Sequence, residues 1–345
     1  MENYQFKFKW LNDQGQPQGF YSKKGHFDGE TLVLDTVDLP SAAILDVDYR
    51  ERTVILSVVG ENSEPVHLLF NVTSGSADRL KLMLGRARSR AWARRHKEEL
   101  ASEGRSSEYR DVTCPHCHAV IDLSGFAKTP QVSCEFCHTV SDDQSESFDA
   151  PAKGEKKYRL CDECGMFSKP RRFTIFYFYF LLVVYGFSHR QTWRCPGCMR
   201  SEAWKMLLGN AIFVLGVPVA IAQLFRAYGG TDVGGKYPGL DSANIKARNG
   251  KFQQAIDDYR KILDKQPVAA GVKYNIAMAF LHREDWEGAA RMFQYSLTDC
   301  ANYRPSARGL AACYEHLGET EKLAALKKQW GAKDDEVLLE ELPEE

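Results

Sequence analysis

The chain has 345 residues, of which 44% are hydrophobic and 26% charged, and its formal net charge is −1. That length accommodates about two to four domains, and the composition is that of a folded protein. The balanced charge excludes a uniform field that would select acidic or basic partners. Charge is nevertheless uneven: residues 79–97 hold eight Lys or Arg and no acid, and residues 334–345 hold seven acids and no base.

Residues 1–75 predict β-structure. "YQFKFKW" alternates with period two, and "TLVLDTV", "AAILDVDY", "TVILSVV" and "VHLLFNV" are β-branched runs separated by turn residues. A helix is expected over 76–101, with Leu80, Leu84, Ala87 and Ala91 on one face. About seven strands closed by one helix resemble a pleckstrin-homology-type fold, here over residues 1–104.

The predicted helix has a strongly basic face. Its cations are candidates for contact with phosphate groups of lipid or nucleic acid. They are Arg86, Arg88, Arg90, Arg94 and Arg95. The alternative is a solvated helix face that keeps the domain soluble. Trp92 is the single aromatic residue there, which argues against stacking on single-stranded nucleic acid.

Eight of the ten cysteines fall into four Cys-x-x-Cys pairs. The N-terminus has no charged-then-apolar signal pattern, so we expect a cytoplasmic chain whose thiols stay reduced. In that compartment the pairs indicate metal rather than disulfides. Cys300 and Cys313 stand apart at helical core spacings and are expected to be small buried hydrophobes.

The stretch "CPHCHAVIDLSGFAKTPQVSCEFC" holds the first two pairs, Cys114, Cys117, Cys134 and Cys137. Sixteen residues separate them, a spacing that fits a four-thiolate zinc site. Residues 108–141 resemble a zinc ribbon. The alternative for "CPHC" is a thiol oxidoreductase centre. The adjacent histidines are expected to be surplus ligands exposed to solvent: His116, His118 and His138. A polar linker follows at 142–157.

The second set is Cys161, Cys164, Cys195 and Cys198, within residues 158–228. Between its pairs, residues 173–188 are uncharged. As a helix they would reach about 24 Å, short of the roughly 30 Å hydrocarbon core of a bilayer. Their Phe, Tyr, Ile and Val favour strand, and both flanks carry cations. We therefore predict a β-hairpin inside a second zinc ribbon. A membrane span, with the pairs on opposite sides, is the alternative.

Residues 206–225 are also uncharged, and their length matches a transmembrane helix. Gly216 and Pro218 interrupt the stretch, so two short helices packed on the hairpin are the alternative. In either case the apolar region 173–228 must be covered by a bilayer, a partner or its own core. We expect membrane association.

After a flexible linker at 229–239, residues 240–331 repeat with a period of thirty-four. Sets in register are Ala243, Ala277 and Ala311; Gly250, Glu284 and Gly318; and Lys246, Phe280 and Tyr314. Ala255 with Ala289, and Tyr259 with Phe293, repeat as well. The pattern resembles the tetratricopeptide repeat, with "YNIAMAFLHREDWEGAARMFQYSL" as its best copy. Leu323 and Lys327 depart from the pattern in the last copy, as at a capping end. An acidic tail occupies 332–345.

The resemblance implies a helical solenoid that binds peptides or proteins on the concave face lined by the first helix of each repeat. Some members hold a partner's C-terminal carboxylate with Asn and basic side chains. Asn244 and Asn275 fall on two of those positions, while the positions of the basic residues hold Leu240, Pro305 and Gly309. Two alternatives remain for Arg248, Lys273 and His282. They contact an acidic peptide, or they are solvated surface residues.

No phosphate-binding loop, His-Glu-x-x-His motif or nucleophile elbow occurs, and each cysteine set supplies all four ligands of an ion. The sequence therefore predicts a multidomain α+β protein that is not an enzyme. It would be a scaffold with two structural zinc ions, associated with a membrane and recruiting a protein or peptide. A nucleic-acid-associated zinc protein that uses the helix 79–97, and a thiol redox protein, are the alternatives.

Overall fold

The computed structural model describes residues 3–12, 14–50, 52–60, 64–143, 158–181, 184–210, 217–229 and 235–330, with the backbone alone at 50 and 176–191. The chain divides into two compact units, Met1–Ser124 and Gly125–Glu345. The predicted tail 332–345 and most of the linker 142–157 lie outside the described residues.

The first unit is built on a seven-stranded antiparallel sheet. Its strands are β1 (Tyr4–Trp10), β2 (Lys23–Phe27), β3 (Thr31–Leu34), β4 (Val37–Pro40), β5 (Ile44–Arg50), β6 (Thr53–Val59) and β7 (Pro65–Ser74). The order in the sheet is β4-β3-β2-β1-β7-β6-β5. Alternation along β1 buries Tyr4, Phe6 and Phe8 and exposes the residues between them, as the period-two pattern predicts.

One long helix, α1 (Ala77–Ser102), closes this unit. It begins after Ser76, whose hydroxyl accepts a hydrogen bond from the Arg79 N–H, an N-cap. Leu80 and Leu84 are fully buried against the aromatic core of the sheet, as the spacing predicts. The predicted strands and helix are thus confirmed, while the resemblance to a pleckstrin-homology-type fold stays a prediction. Two short paired strands, β8 (Asp111–Thr113) and β9 (Val120–Asp122), follow.

The second unit begins with two short antiparallel pairs, β10 (Gln131–Ser133) with β11 (Val140–Asp142) and β12 (Arg159–Leu160) with β13 (Phe167–Ser168). Strands β14 (Arg171–Leu181) and β15 (Val184–Arg194) then pair along their whole length, from Arg171 with Arg194 to Leu181 with Val184. The predicted hairpin between the cysteine pairs is therefore confirmed.

Two helices pack beside the hairpin, α2 (Pro196–Asn210) and α3 (Val217–Tyr228). In the part of the chain that the structure describes, every helix is too short or too polar to cross a membrane. The uncharged stretch predicted at 206–225 falls on both helices and on residues 211–216, which lie outside the described ranges.

Three helix pairs make up the rest. They are α4 (Leu240–Arg248) with α5 (Phe252–Leu263), α6 (Ala270–Leu281) with α7 (Trp286–Asp299), and α8 (Arg304–His316) with α9 (Thr320–Trp330). The second helices begin thirty-four residues apart, so the predicted period is confirmed. Each pair turns through a residue with positive φ: Gly250 at +74°, Glu284 at +59° and Gly318 at +71°.

The register of small and aromatic residues sets the packing between these helices. The alanines that repeat at thirty-four, Ala243, Ala277 and Ala311, are fully buried, as are Tyr259 and Phe293. Small side chains let the helices approach, and the rings fill the space between pairs. At the end of the array, the helix α9 is half polar and buries Trp330. The ring of Trp330 packs edge-on against that of Phe126, with ring centres 5.0 Å apart.

Glu284 gives a test of the repeat geometry, because it holds a left-handed conformation that its counterparts fill with glycine. A side chain with a Cβ costs about 1 kcal/mol there. We therefore expect Glu284→Gly to raise the melting temperature of the second unit by about 2–4 °C. Thermal unfolding followed by circular dichroism measures this.

Glu287→Gly is the matched control, since Glu287 lies in the first turn of α7, where glycine lowers helix stability. Equal or lower melting temperatures for both variants would contradict the left-handed turn at Glu284.

Candidate metal centres and the repeat groove

Three of the four cysteine pairs form the same tight turn, at 114–119, 134–139 and 161–166. In each, the N–H of the residue after the second cysteine donates to the carbonyl of the first, at 2.7–2.9 Å. The N–H of the first cysteine donates to the carbonyl five residues on, at 2.9–3.0 Å. This turn directs both sulfurs of a pair to the same side.

The residue after the second cysteine has positive φ in all three turns: His118 and His138 at +59°, and Gly165 at +63°. His118 and His138 are exposed, as predicted, whereas His116 is half-buried. Within the described residues, cysteines alone make up both candidate metal groups, and these two histidines occupy the left-handed position of their turns.

The fourth pair lies at the start of a helix. Cys195 directly precedes Pro196, the first residue of α2, and the Met199 N–H donates to the Cys195 carbonyl at 2.9 Å. The N-terminal end of a helix carries partial positive charge, which favours the thiolate form. The Cys195 N–H also donates to the sulfur of Cys161 at 3.2 Å.

Two groups of four cysteines result, Cys114, Cys117, Cys134 and Cys137, and Cys161, Cys164, Cys195 and Cys198. Within each group the sulfurs lie within 4.8 Å of one another, and none of the eight forms a disulfide. A tetrahedral ion with bonds of about 2.3 Å to sulfur needs edges of about 3.8 Å. The sulfurs of Cys164 and Cys195 are 3.8 Å apart, so the second group fits such an ion.

The second group of cysteines shifts the pKa of its own thiols and of a neighbouring arginine. The pKa of the Cys161 thiol is lowered well below its usual range, because Cys164, Cys195, Cys198 and the Cys195 N–H hydrogen-bond to its sulfur. On α4, burial alone would lower the pKa of Arg248, but the charges of the four cysteines raise it. A Cβ on Gly197 would lie 2.9 Å from Arg248 Nη1, so glycine at this point lets α4 approach the ligand turn closely.

The strand after the third turn lies in the groove of the repeats. The Phe167 N–H donates to Asn275 Oδ1 at 2.8 Å, and the Phe167 carbonyl accepts from Asn275 Nδ2 at 2.8 Å and Asn244 Nδ2 at 3.0 Å. Asn244 Oδ1 accepts in turn from the Tyr259 hydroxyl at 2.7 Å. Both amides are buried, so the two predicted partner-binding asparagines here hold backbone of their own chain.

The ring of Phe167 lies flat on the first turn of α6. A Cβ built on Gly271 would come within 2.2 Å of that ring, so any larger residue displaces it. The ring of Tyr158 stacks on that of Phe167 with centres 5.9 Å apart, and the ring of Tyr237 meets it at 6.0 Å. Helix, strand and linker residues thus enclose one aromatic cluster.

Amide side chains also join β10 to the repeats. Gln131 Oε1 accepts from the Ala270 N–H at 2.9 Å, which caps the start of α6. Asn302 binds both backbone groups of Ser133, at 2.9 Å and 2.8 Å. One cysteine-bearing segment therefore caps the start of α6, and a side chain of the repeats in turn satisfies the backbone of that segment.

The other predicted partner residues lie in mixed surroundings. Lys273 forms a 2.5 Å ion pair with Asp299 and is mostly covered. His282 is exposed and stacks on Phe252 at 5.2 Å. Arg248 and His282 line a cavity of about 90 Å³ together with Cys164 and Met278. Contact of any of these residues with a partner stays a prediction.

The five predicted phosphate contacts on α1 separate into three groups. Arg86 Nε donates to the Cys117 carbonyl at 2.5 Å, and Arg88 pairs with Asp46 at 3.1 Å. Arg95 pairs with Glu99 at 2.8 Å. Arg90 and Arg94 line an open cavity of about 780 Å³, together with Asp28 and Glu30 among others. Phosphate binding by these residues stays a prediction.

Sequence reasoning missed Phe167, Gly271, Gln131 and Asn302. Gly271 carries a usable signal, because an isolated glycine in a helical pattern often marks a close approach. The two cysteines outside the pairs are fully buried, as predicted. Burial raises the pKa of Cys313 to about 12.

No protein-family model matches the chain, and no curated protein matches it. Among solved structures, the second TPR of Spaghetti (RPAP3) bound to the HSP90 peptide SRMEEVD is 22% identical, covering 30% of this chain and 89% of that one, with a TM-score of 0.26. A human IFIT1 dimer with PPP-AAAA is 15% identical over 40% of this chain and 32% of that one (TM-score 0.28). MamA is 12% identical over 41% and 81% (TM-score 0.28). Scores this low carry no argument.

The donor sets predict two metal ions per chain, with zinc as the expected metal. Cys161→Ser should remove one ion and loosen the repeats, because a structural metal contributes folding energy to the segment it holds. Metal analysis by mass spectrometry measures the ions. Cys300→Ser, at a buried thiol outside both groups, should retain two. Fewer than one ion per wild-type chain, with intramolecular disulfides, would contradict both sites.

Asn275→Ala tests the hold on Phe167. It leaves the buried Phe167 N–H without its partner, at a cost of about 1–3 kcal/mol, while the Phe167 carbonyl keeps its bond from Asn244. We expect faster amide hydrogen exchange at 158–168 and 270–281, measured by mass spectrometry on the full chain.

The control is Asn249→Ala, at the exposed end of α4. Unchanged protection at 158–168 in Asn275→Ala would show that the asparagines do not secure this strand.

Proposed function

We propose that the chain is a non-enzymatic, zinc-stabilised scaffold that recruits an acidic peptide or protein segment and associates with a membrane. The observation that carries this proposal is the clamp on Phe167: two repeat helices hold the backbone of the second cysteine-bearing segment. In this proposal the metal ion, the second cysteine-bearing segment and the repeats form one rigid body, which supports the partner-binding surface. Zinc suits four thiolates in tetrahedral geometry, and iron is the other metal with that preference.

A structural role for both metals is supported by their ligand sets. Each group provides four sulfurs, which fills the coordination of a tetrahedral ion and leaves no position for a water or a substrate. Seven of the eight sulfur-bearing residues are buried, and Cys164 is partly exposed. When bound, the ion would fix the turns that place Phe167 and α2.

The partner surface that we propose lies beside the clamp, at the edge of the concave face. Arg248 and His282 supply positive or protonatable groups, and Phe252 and Met278 supply apolar surface around the same small cavity. A segment with a small apolar side chain next to a carboxylate would match this combination. The asparagines are already engaged, so recognition would rest on the side chains at this edge.

Membrane association of residues 173–228 completes the proposal. It is supported by the exposed apolar side chains of α2 and α3, among them Leu208 and Phe225. Such a support would display a recruited segment at a membrane surface.

Selection from a displayed peptide library against the full-length, zinc-loaded chain tests the partner site. We expect acidic peptides to be enriched, and Arg248→Glu to weaken their binding at least tenfold through charge reversal. Lys328→Glu, an equal charge change at an exposed position on α9, should bind as wild type does. Absence of enrichment, or equal loss in both variants, would contradict the site.

A further inference from the structure

We propose that the outer face of α2 and α3 binds anionic lipid. When bound, this face lies in the headgroup layer of the membrane. This inference rests on the membrane association proposed above and names its residues and its lipid chemistry. Four observations support it: an apolar stripe, an aromatic pair, a cationic rim and the charge of the whole segment.

The two helices expose a row of large apolar side chains. α2 and α3 pack on each other through small and flexible residues such as Ala203, Met206 and Ala220. On the outside, a third or more of each of five large side chains is exposed: Trp204 49%, Leu208 71%, Ile221 42%, Phe225 76% and Tyr228 53%. Spacings of three and four residues place them along one side of each helix.

An aromatic pair joins the two helices at one end of this stripe. Trp204 Nε1 donates to the Tyr228 hydroxyl at 3.3 Å. Trp and Tyr at the edge of an apolar surface are typical of the membrane interface, because each combines an apolar ring with a polar group that stays hydrated.

Cations lie around the same end. The Arg200 guanidinium lies 4.7 Å from the centre of the Tyr228 ring and donates to the Ala227 carbonyl at 3.3 Å. Arg226 is exposed and donates to the Arg172 carbonyl at 3.1 Å, and Lys205 is exposed on α2 next to Trp204. Long basic side chains beside an apolar stripe can reach phosphate groups while their stems stay in apolar surroundings.

The charge of the segment selects the partner. Residues 173–228 contain five Lys or Arg and one acid, Glu202. Glu202 itself lies 3.4 Å from Arg194, a buried cation. A second copy of this chain would present the same positive charge and repel it, whereas an anionic bilayer complements both the charge and the apolar stripe. The charge therefore favours lipid over self-association.

The test is flotation of the full-length, zinc-loaded chain with vesicles of phosphatidylcholine, alone or mixed with phosphatidylglycerol. We expect binding to the anionic vesicles, weakened by added salt. Leu208→Ser with Phe225→Ser should reduce partitioning at least tenfold, because two exposed apolar groups no longer enter the interface. Phe20→Ser, at a side chain 94% exposed in the first unit, is the control.

A second pair of variants tests the cationic rim. Lys205→Glu should weaken binding to the anionic vesicles several-fold, and Lys251→Glu, exposed near the start of α5, should not. Circular dichroism and metal content establish that each variant is folded.

Four other results of these experiments would overturn all or part of the proposal. Wild-type binding that the Leu208 and Phe225 changes leave intact would overturn this face but preserve membrane association through another part of 173–228. Absence of wild-type binding to any vesicle would overturn both. Equal binding to neutral vesicles would overturn the anionic chemistry. A dimer that these changes dissociate would show that the face joins two copies.

Discussion

The second unit depends on the pairing of two buried side-chain amides with the backbone N–H and carbonyl of a single residue, Phe167. Helices use their own backbone groups internally, so a strand that enters a helical groove must find donors and acceptors on side chains. Asn244 and Asn275 supply both kinds to Phe167 at 2.8–3.0 Å. Without them, buried N–H and carbonyl groups would lack partners, and the strand could not remain in the groove.

The same solution recurs at the other contacts between repeats and cysteine-bearing segments. Gln131 caps α6, and Asn302 binds both backbone groups of Ser133. Amides suit this task because they donate and accept without carrying charge, which would be costly to bury. The two-residue strands at 159–160 and 167–168 are too short to be stable alone, so the cysteine turn between them and these amides support each other.

Local patterns predicted the parts of the fold that local physics determines. Alternation in β1, strand-forming composition in 171–194, and buried alanines at a thirty-four-residue period each reflect contacts within a few residues or between neighbouring repeats. The Cys-x-x-Cys pairs were readable for the same reason, because one turn places two ligands.

The clamp could not be predicted in this way. Asn275 lies 108 residues from Phe167, and Gln131 lies 139 residues from Ala270, so no spacing along the chain indicates either contact. The sequence did single out both asparagines, but for an external ligand, since a side chain that binds a peptide unit looks the same whichever chain provides that unit. The left-handed turns at His118 and His138 became visible only in the structure.

The strand in the groove belongs to the same chain. A separate peptide that binds Asn244 and Asn275 must therefore compete with a segment that is covalently attached to the repeats. Short tethers hold a ligand at an effective concentration of the order of millimolar. If residues 158–168 bound the excised repeats with micromolar affinity, a competing peptide would therefore bind the whole chain about a thousandfold more weakly than a fragment lacking those residues. Affinities measured on excised repeats would describe a receptor whose site the intact protein has already filled.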